Sequence, residues 1–438
     1  MGLSEDLRQA VRRHYTERFA NRAFRPGVDW VPVSGKAFGP EELEALVECA
    51  LEFWLTAGPH CRRFESQLRS MLRVEAVVLT NSGSSANLLA VSALCSRSLG
   101  DRRLREGDEV VTAALGFPTT LNPILQNGLT ASLVDCRLGT YNPDLSDIEA
   151  ALTPRTRAVF LAHCLGNPFE VDRVRELCEE YGLFLIEDAC DALGASFDGR
   201  PLGSWGDLGT LSFYPAHHIT TGEGGAVLCQ SGELAGIVRS LRDWGRHCWC
   251  EPGHDNTCSR RYDTAFPGLP EGYDHKYVYS EIGYNLKMTD LQAAIGEVQL
   301  SRLPDFAKTR ERNFRALDGL FKEYEEWFIL PRSIQGGEPS WFGYPLTVKD
   351  EAPFSRQDFI RYLDSKRIGT RLMFGGNLAR QPAYRDNPLV KIPPSGLPGT
   401  DKALTSSFWL GVCQAIDEPR LSYMLQCIEE FLRAVGTA

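Results

Sequence analysis

Long apolar runs and lysine are both scarce in this sequence of 438 residues. Its longest apolar stretches, such as VVLT and GLFLI, have the length of a β-strand and are far shorter than a membrane-spanning helix. The opening stretch MGLSEDLRQAVRRHYTERFA lacks the apolar core of a signal peptide. A formal net charge of −10 argues against general binding to nucleic acid or to a membrane surface. These absences predict a cytoplasmic protein whose partners are neither nucleic acid nor a membrane.

The sequence is rich in cysteine, with thirteen residues, but no secretion signal accompanies them. A disulfide scaffold is therefore not expected. Most of these cysteines, for example Cys95 and Cys427 within helical patterns, are interpreted as small buried apolar residues. The balance of 43% apolar and 24% charged residues is typical of a globular protein with enough chain for a large core. We expect an enzyme.

Short apolar or β-branched runs alternate with helical patterns through the first half of the chain. This alternation predicts an α/β fold with a mainly parallel sheet covered on both faces. The predicted organisation is an N-terminal helix and lead-in (1–35), a large α/β domain (36–300) and a smaller C-terminal α+β domain (301–438). The predicted strands are 76–80, 109–112, 131–135, 158–163, 183–188, 210–214 and 225–229.

The segment VVLTNSGSSANLLAVSAL reads as a strand, a turn of small residues and a helix. Gly83 allows the chain to turn tightly, and Ser84 and Ser85 fall at the helix N-terminus. Free N–H groups and the positive end of the helix dipole suit a phosphate there. A serine that caps the helix without any ligand explains the pattern equally well.

Two further segments carry polar side chains at strand ends. Asp188 ends a buried strand in LFLIEDACDALGA, on the side where α/β sheets bind ligands. One partner for such a carboxylate is the protonated ring nitrogen of a pyridoxal-type cofactor, and a helix cap is the alternative. In LSFYPAHHITTGEGGAV, Ser212 ends a strand and His217 and His218 follow in a loop. Adjacent histidines more often belong to a polar loop than to a catalytic site.

Together these segments resemble the DegT/DnrJ/EryC1/StrS family of sugar aminotransferases and dehydratases, which use pyridoxal phosphate (PLP). FWLTAGPHCRRFE, GFPTTLNP and GYNLKMTDLQAAIGEVQL extend the resemblance from about residue 35 to the C-terminus. It implies an aspartate-aminotransferase-like fold (PLP fold type I). The cofactor contacts it implies are Phe117 and Asp188 at the ring and Ser84, Ser85 and Ser212 at the phosphate. Asn285 resembles the asparagine that reaches the partner subunit's cofactor in family dimers, so we expect a homodimer.

One position departs from the aminotransferase pattern. Those relatives have SFHPxKxxTTGEGG, with a Schiff-base lysine where this sequence has His217, and no lysine occurs between Lys36 and Lys276. An imidazole cannot hold the cofactor covalently, but it can act as a base near neutral pH. The substitution resembles the branch that uses pyridoxamine phosphate (PMP), in which histidine deprotonates the cofactor's 4′ carbon and the sugar loses its 3-hydroxyl. A non-catalytic scaffold that binds a sugar nucleotide is the alternative.

Four cysteines form a spaced set, in which 57, one and seven residues separate Cys190, Cys248, Cys250 and Cys258. The spacing is neither of the common ferredoxin arrangements. It resembles the iron–sulfur 3-dehydrases of dideoxysugar pathways, where four such cysteines hold a 2Fe–2S cluster. That resemblance implies a flavin/iron–sulfur reductase as electron donor. A zinc ion on four thiolates and four unrelated buried cysteines are the alternatives.

The sequence as a whole predicts a PMP-dependent, 2Fe–2S-containing 3-dehydrase for a CDP- or TDP-linked 4-keto-6-deoxyhexose. The stretch RIGTRLMFGGNLARQPAY resembles the substrate side of the family, with Arg371 and Asn377 as the expected contacts. A cluster-free dehydratase that recovers its amine from glutamate is the alternative enzyme.

Overall fold

The computed structural model describes residues 2–20, 23–250 and 252–436. Short parts of the predicted N-terminal region (1, 21–22), large domain (251) and C-terminal domain (437–438) lie outside the described residues. Its α-helices are α1 (Glu5–Arg18), α2 (Pro40–Glu52), α3 (Pro59–Leu72), α4 (Gly83–Leu94), α5 (Pro118–Gln126), α6 (Leu145–Ala150), α7 (Val171–Tyr181), α8 (Gly232–Arg242), α9 (Asp290–Lys322), α10 (Arg356–Ser365), α11 (Pro398–Ser406) and α12 (Glu418–Gly436). Its strands are β1 (Ala76–Thr80), β2 (Glu109–Ala113), β3 (Thr130–Val134), β4 (Thr156–Ala162), β5 (Phe184–Asp188), β6 (Ser196–Phe197), β7 (Arg200–Pro201), β8 (Leu208–Ser212), β9 (Gly225–Cys229), β10 (Phe328–Ile329), β11 (Gly337–Glu338), β12 (Gly343–Val348), β13 (Thr370–Leu372), β14 (Val390–Lys391) and β15 (Ser407–Gly411).

The large sheet contains eight strands in the order β1-β9-β8-β5-β4-β2-β3-β14. Strands β8, β5, β4, β2, β3 and β14 pair in parallel, whereas β9 is antiparallel to both β1 and β8. The predicted α/β class and mainly parallel sheet are therefore confirmed. The predicted strands differ from the observed ones by at most two residues at an end.

Side chains of the large sheet alternate between two apolar layers, as the two-residue period of a strand requires. In β1, Val77 and Leu79 join a cluster with Phe64 of α3, while Val78 joins a second cluster with Leu89 of α4 on the opposite face. Both layers are closed to solvent, which explains why the strand sequences are apolar throughout. Helices therefore cover both faces of the sheet, and only the ends of its strands are available to form a binding site.

The C-terminal part forms an antiparallel sheet of four strands, in the order β10-β12-β15-β13, packed on α9, α10 and α12. The predicted boundary at residue 300 lies within α9, which runs on from the large domain. The two parts are also joined at an edge, because β14 pairs with β3. The carboxylate of Asp135 accepts hydrogen bonds from the N–H groups of Gly399 and Thr400, both at 2.7 Å.

The N-terminal segment begins with α1, as its charged amphipathic pattern predicts. Arg12 pairs with Glu44 of α2 at 2.6 Å, and further along Val31 forms a β-bridge with Ile368 of the C-terminal part. The remaining small sheet has the order β11-β6-β7. Within the described ranges, no helix is both long enough and apolar enough to cross a bilayer.

Candidate active site

A cavity of about 640 Å³ opens at the carboxyl ends of the parallel strands. This volume lies within the range of sites for small organic ligands. Chain segments that leave β1, β2, β4, β5 and β8 form much of its wall, so residues far apart in sequence meet there. The predicted site residues that line it are Gly83, Ser84, Phe117, Asp188, Cys190, Ser212, His217 and Arg371.

The N-terminus of α4 forms one end of this cavity. Ser82 caps the helix, since its Oγ accepts the N–H of Ser85 at 3.0 Å and donates to Ser85 Oγ at 2.9 Å. Ser85 is thereby held in the cap and does not line the cavity, whereas Gly83 and Ser84 do. The first turn of a helix offers unpaired N–H groups and a positive dipole end, which together suit a phosphate.

Glycine is required at the start of α4 because the helix rests directly on the end of β8. A Cβ atom on Gly83 would lie 2.5 Å from Ser212 Cβ and 3.1 Å from Cys190 Sγ. Carbon atoms do not approach so closely without displacement of the backbone. Gly83 therefore brings the helix N-terminus and Ser212 to the same end of the cavity.

The Asp188 carboxylate is held in place by three donors. Its Oδ2 accepts hydrogen bonds from Asn87 Nδ2 at 2.8 Å and Thr120 Oγ1 at 2.7 Å, and its Oδ1 accepts the N–H of Cys190 at 3.2 Å. Asn87 is oriented in turn by Thr210, whose Oγ1 donates to Asn87 Oδ1 at 2.6 Å. The sequence analysis missed Asn87, Thr120 and Thr210; for the first two, the polar residues within the buried runs SSAN and FPTT were the available signal.

His217 lies in the loop between β8 and β9, with its ring 5.3 Å from that of Phe342 and its carbonyl accepting from Arg310 at 3.2 Å. Burial lowers the pKa of the imidazole to about 4, while the Asp188 carboxylate acts in the opposite direction. Nδ1 has no hydrogen-bond partner within the described part of the chain. His217 is therefore neutral at neutral pH and able to accept a proton.

Two neighbours of His217 behave differently. Asp191 Oδ1 lies 3.4 Å from His217 Nδ1, and burial together with the Asp188 charge raises the pKa of Asp191 to about 8. Asp191, which the sequence analysis also missed, is thus protonated near neutral pH. His218 is fully buried, and its Nε2 lies 2.8 Å from the carbonyl oxygen of Ser340, so it serves the fold rather than the cavity.

The remaining predicted residues divide between the cavity and its surroundings. Phe117 is 55% exposed and Arg371 lies on β13; both line the cavity. Asn377 is buried behind it, with Nδ2 donating to Asp401 at 2.7 Å and Oδ1 accepting the N–H of Ala379 at 3.0 Å. The exposed Asn285 accepts from Lys287 at 2.8 Å and lies outside the cavity of its own chain. The structure thus assembles most, but not all, of the predicted set.

Comparison with known sequences identifies the relationship. Residues 36–429 match the sequence model described as the DegT/DnrJ/EryC1/StrS aminotransferase family. The chain belongs to this family. Among its relatives is the lipopolysaccharide biosynthesis protein RfbH of Salmonella typhimurium, 47% identical over 98% of both chains. Another is the dTDP-4-dehydro-2,6-dideoxy-D-glucose 3-dehydratase of Saccharopolyspora spinosa, 49% identical over 96% of this chain and 90% of that protein.

A solved structure shows the same fold as this chain. E. coli GDP-4-keto-6-deoxy-D-mannose-3-dehydratase with bound hydrated PLP superposes with a TM-score of 0.81, at 24% sequence identity. The match covers 91% of this chain and 99% of that one. The predicted aspartate-aminotransferase-like fold is therefore confirmed for this member of the DegT/DnrJ/EryC1/StrS family.

The cysteine-containing loop of this chain lies between α8 and α9. Cys248, Cys250 and Cys258 line one small pocket there, together with His275. The N–H of Cys250 donates to Cys248 Sγ and the N–H of Cys258 donates to Cys250 Sγ, both at 3.4 Å. Burial acts to raise the pKa of Cys250, but hydrogen bonds from Thr257 and from the neighbouring cysteines lower it to about 7.

The fourth cysteine of the predicted cluster lies elsewhere. Cys190 lines the large cavity, with its Sγ 4.0 Å from Thr210 Oγ1, and burial raises its pKa. It is not among the residues that line the cysteine pocket of the loop. The four-cysteine 2Fe–2S assignment therefore stays a prediction.

Proposed function

We propose that the protein is a PMP-dependent 3-dehydratase that removes the 3-hydroxyl of a nucleotide-linked 4-keto-6-deoxyhexose. The observation that carries this proposal is His217: a neutral imidazole lines the cavity where the aminotransferase pattern of the family has lysine. The name of the relative that is 49% identical, a 3-dehydratase of a dTDP-linked sugar, supports this substrate class.

The cavity fits pyridoxamine phosphate. The N-terminus of α4, with Gly83 and Ser84, would bind the phosphate together with Ser212. Asp188, fixed by its three donors, would pair with the ring nitrogen, and the exposed face of Phe117 would contact the ring. When bound, the cofactor supplies an electron sink beside the sugar.

The side chains of the chain itself then have separate tasks. His217, kept neutral by burial, takes up the proton that must leave before the 3-hydroxyl departs. Apolar side chains such as Leu115, Phe342 and Trp409 keep water away from the reacting groups. Arg371, at the cavity wall, supplies positive charge for the anionic diphosphate of a nucleotide sugar.

The iron–sulfur cluster and its reductase belong to the same prediction, because both depend on Cys190 joining the three cysteines of the loop. Since Cys190 lines the large cavity and the other three line the small pocket, we derive no reaction step through a cluster. Turnover that requires a reduced flavin/iron–sulfur protein supports the cluster enzyme, whereas turnover sustained by glutamate alone supports the cluster-free dehydratase.

A homodimer is the assembly we propose. Ile282, three residues before Asn285, is 96% exposed. Trp244 is 42% exposed and follows Asp243, which forms a β-bridge with Asn285. Large apolar side chains exposed to this extent on adjoining segments are typical of a contact surface. Light scattering on the purified protein should give twice the chain mass of 48.8 kDa, and a monomer would remove any role for Asn285 across an interface.

The decisive experiment compares the wild type with H217K and H217N. Wild-type protein should bind PMP reversibly and dehydrate the dTDP- or CDP-linked 4-keto sugar. H217N should bind PMP with similar affinity but lose about 10²–10⁴-fold in rate, as expected when a general base is removed. H217K, given PLP and then borohydride, should gain the mass of the reduced cofactor, because it restores a primary amine at the same place. Failure of the wild type to bind PMP, or full activity of H217N, contradicts the proposal.

A further inference from the structure

The lead-in segment, which we define as residues 31–35, forms part of the wall of the large cavity. Val33 and Ser34 of this segment line the cavity, together with residues of the C-terminal part such as Arg371 and Trp409. The match to the family sequence model begins only at residue 36. The cavity therefore has wall residues that lie outside the sequence described by the family model.

Backbone hydrogen bonds hold the lead-in segment against the chain that enters β13. The N–H of Val31 donates to the carbonyl oxygen of Arg367, and the N–H of Gly369 donates to that of Val31, both at 2.9 Å. These bonds form a parallel β-bridge between Val31 and Ile368. A Cβ atom on Gly369 would lie 3.0 Å from Cγ2 of Val33, so the two segments remain in contact beyond the bridge.

Strand β15 holds the lead-in segment on a second side. A Cβ atom on Gly411 would lie 2.6 Å from the carbonyl oxygens of Pro32 and Val33 and 2.7 Å from Cα of Val33. Because Gly411 has no side chain, the backbone of the segment can lie directly on the end of β15. Ser34 therefore follows backbone that is held on two sides, and its side chain has a defined place on the cavity wall.

The pairing with the C-terminal part places Ser34 beside Arg371. Parallel segments advance by the same number of residues, and each of these two residues lies three positions beyond the bridge between Val31 and Ile368. Both residues line the cavity. A hydroxyl group and a guanidinium group therefore adjoin on the same stretch of wall.

Both of these groups have donors available for a ligand. Within the described ranges, the Ser34 hydroxyl forms no hydrogen bond, and the exposed Arg371 forms no ion pair with a carboxylate. Nη1 of Arg371 donates to the carbonyl oxygen of Thr370 at 2.9 Å, which leaves other N–H groups of the guanidinium for a ligand. Hydroxyl and guanidinium donors side by side suit an anion with several acceptor oxygens.

We propose that Ser34 donates a hydrogen bond to the diphosphate of the nucleotide sugar, beside the contact from Arg371. The inference rests on the proposed function for its substrate class. The phosphate of PMP has a separate place in that proposal, at the N-terminus of α4 and Ser212 on the large domain. The lead-in segment thus contributes to substrate binding, and Ser34 helps to select a diphosphate over a smaller anion.

Isothermal titration calorimetry of the full-length protein with CDP and with dTDP tests this contact. S34A should raise the Kd for the diphosphate that binds by about tenfold, since it removes one hydrogen bond to a charged group. S34N and S34D introduce side chains of nearly equal size that differ by one negative charge. S34D should bind at least tenfold more weakly than S34N, and the difference should shrink as the salt concentration rises. A purely structural role of Ser34 would not produce this dependence on charge.

S70N and S70D, on the exposed surface of α3, are the matched controls. Both should bind the nucleoside diphosphate as the wild type does. All variants at Ser34 should bind PMP with wild-type affinity, because its phosphate site is built from other residues. Circular dichroism spectra and melting curves check that each variant is folded. Inorganic phosphate should not displace the nucleoside diphosphate at equal concentration.

Equal affinities of S34D and S34N for the nucleoside diphosphate overturn the inference. So does a wild type that binds neither CDP nor dTDP, even if it binds PMP, and so does displacement by inorganic phosphate at equal concentration. The proposed function fails separately, when the wild type does not bind PMP or does not dehydrate the 4-keto sugar. The titrations with CDP and dTDP still decide the role of Ser34 in that case.

Discussion

The titration of His217 gives a direct test of the site. Burial lowers its pKa from 6.5 to about 4, against the opposing effect of Asp188. This difference corresponds to about 3 kcal/mol against the imidazolium form. At pH 5.5 a histidine with a pKa of about 6.5 is about 9% neutral, whereas His217 should be about 97% neutral. The base should therefore stay available in mildly acidic solution.

Nuclear magnetic resonance of the cofactor-free protein, labelled with ¹⁵N-histidine, measures this value. The spectrum of H217N assigns the resonance of His217 by its absence. The D188N variant tests the direction of the electrostatic effect: because the Asp188 carboxylate raises the pKa of His217, its removal should lower the midpoint further. A midpoint near 6.5 in the wild type, or a higher midpoint in D188N, refutes the reasoning.

The same shift predicts how pH affects stability. The unfolded chain takes up a proton at His217 as the pH falls through about 6.5, whereas the folded chain does so only near 4. Stability is therefore present above pH 6.5 and is progressively lost as the pH falls toward 4. Urea unfolding at pH 8 and at pH 5 should show a smaller difference for H217N than for the wild type, and equal differences would contradict a buried neutral imidazole.

Three further predictions concern the walls of the cavity. T120V removes one donor to Asp188 and should weaken PMP binding by about 10–100-fold, since a hydrogen bond to a charged group contributes about 1.5–3 kcal/mol. T309V on α9 is the control, and equal PMP affinities of T120V and T309V would exclude the role of Thr120. G83A places a Cβ 2.5 Å from Ser212 Cβ and should cost about 1–3 kcal/mol. G232A, at the start of α8 with no atom within 4 Å of its added Cβ, should leave the thermal midpoint nearly unchanged, and equal effects of the two substitutions would contradict the close contact. R310M leaves the carbonyls of His217, Trp341 and Phe342 without their donor and should lower both the melting temperature and PMP affinity, which calorimetry can measure; a variant with wild-type affinity would show that Arg310 does not support the His217 loop.

Much of the fold could be predicted from the sequence because its signals are local. The buried strands of the large sheet are short apolar runs, and β1 and β9 lie where such runs predict them. The ends of β8 were displaced by two residues, since its limits are set by pairing with β5 and β9 rather than by its own sequence. Local composition does not specify such register.

The site was predicted less completely, for the same physical reason. Gly83, Asp188 and His217 occupy motif positions and line the cavity. The donors that fix Asp188 lie 101 and 68 residues away in the sequence, at Asn87 and Thr120, and only the folded chain brings them together.

Cysteine spacing was informative within the loop but not beyond it. It grouped Cys248 and Cys258, which do share a pocket, but it could not locate Cys190 relative to them. Nor does it contain a signal for His275, which reaches the pocket through the path of the intervening chain. The spacing of residues along a sequence does not determine where a long loop returns.

The edge contact between β14 and β3 has a consequence for how ligands enter. The two-residue strand β14 and the hydrogen bonds to Asp135 hold the C-terminal domain against the edge of the large sheet. Helix α9 runs from the large domain into the C-terminal domain without a break. A hinge motion that separates the two domains would have to break the β14–β3 pairing and these hydrogen bonds, and it would have to bend α9. Entry and release of a sugar nucleotide would then depend on rearrangement of side chains and connecting segments at the mouth, with the underlying framework left intact.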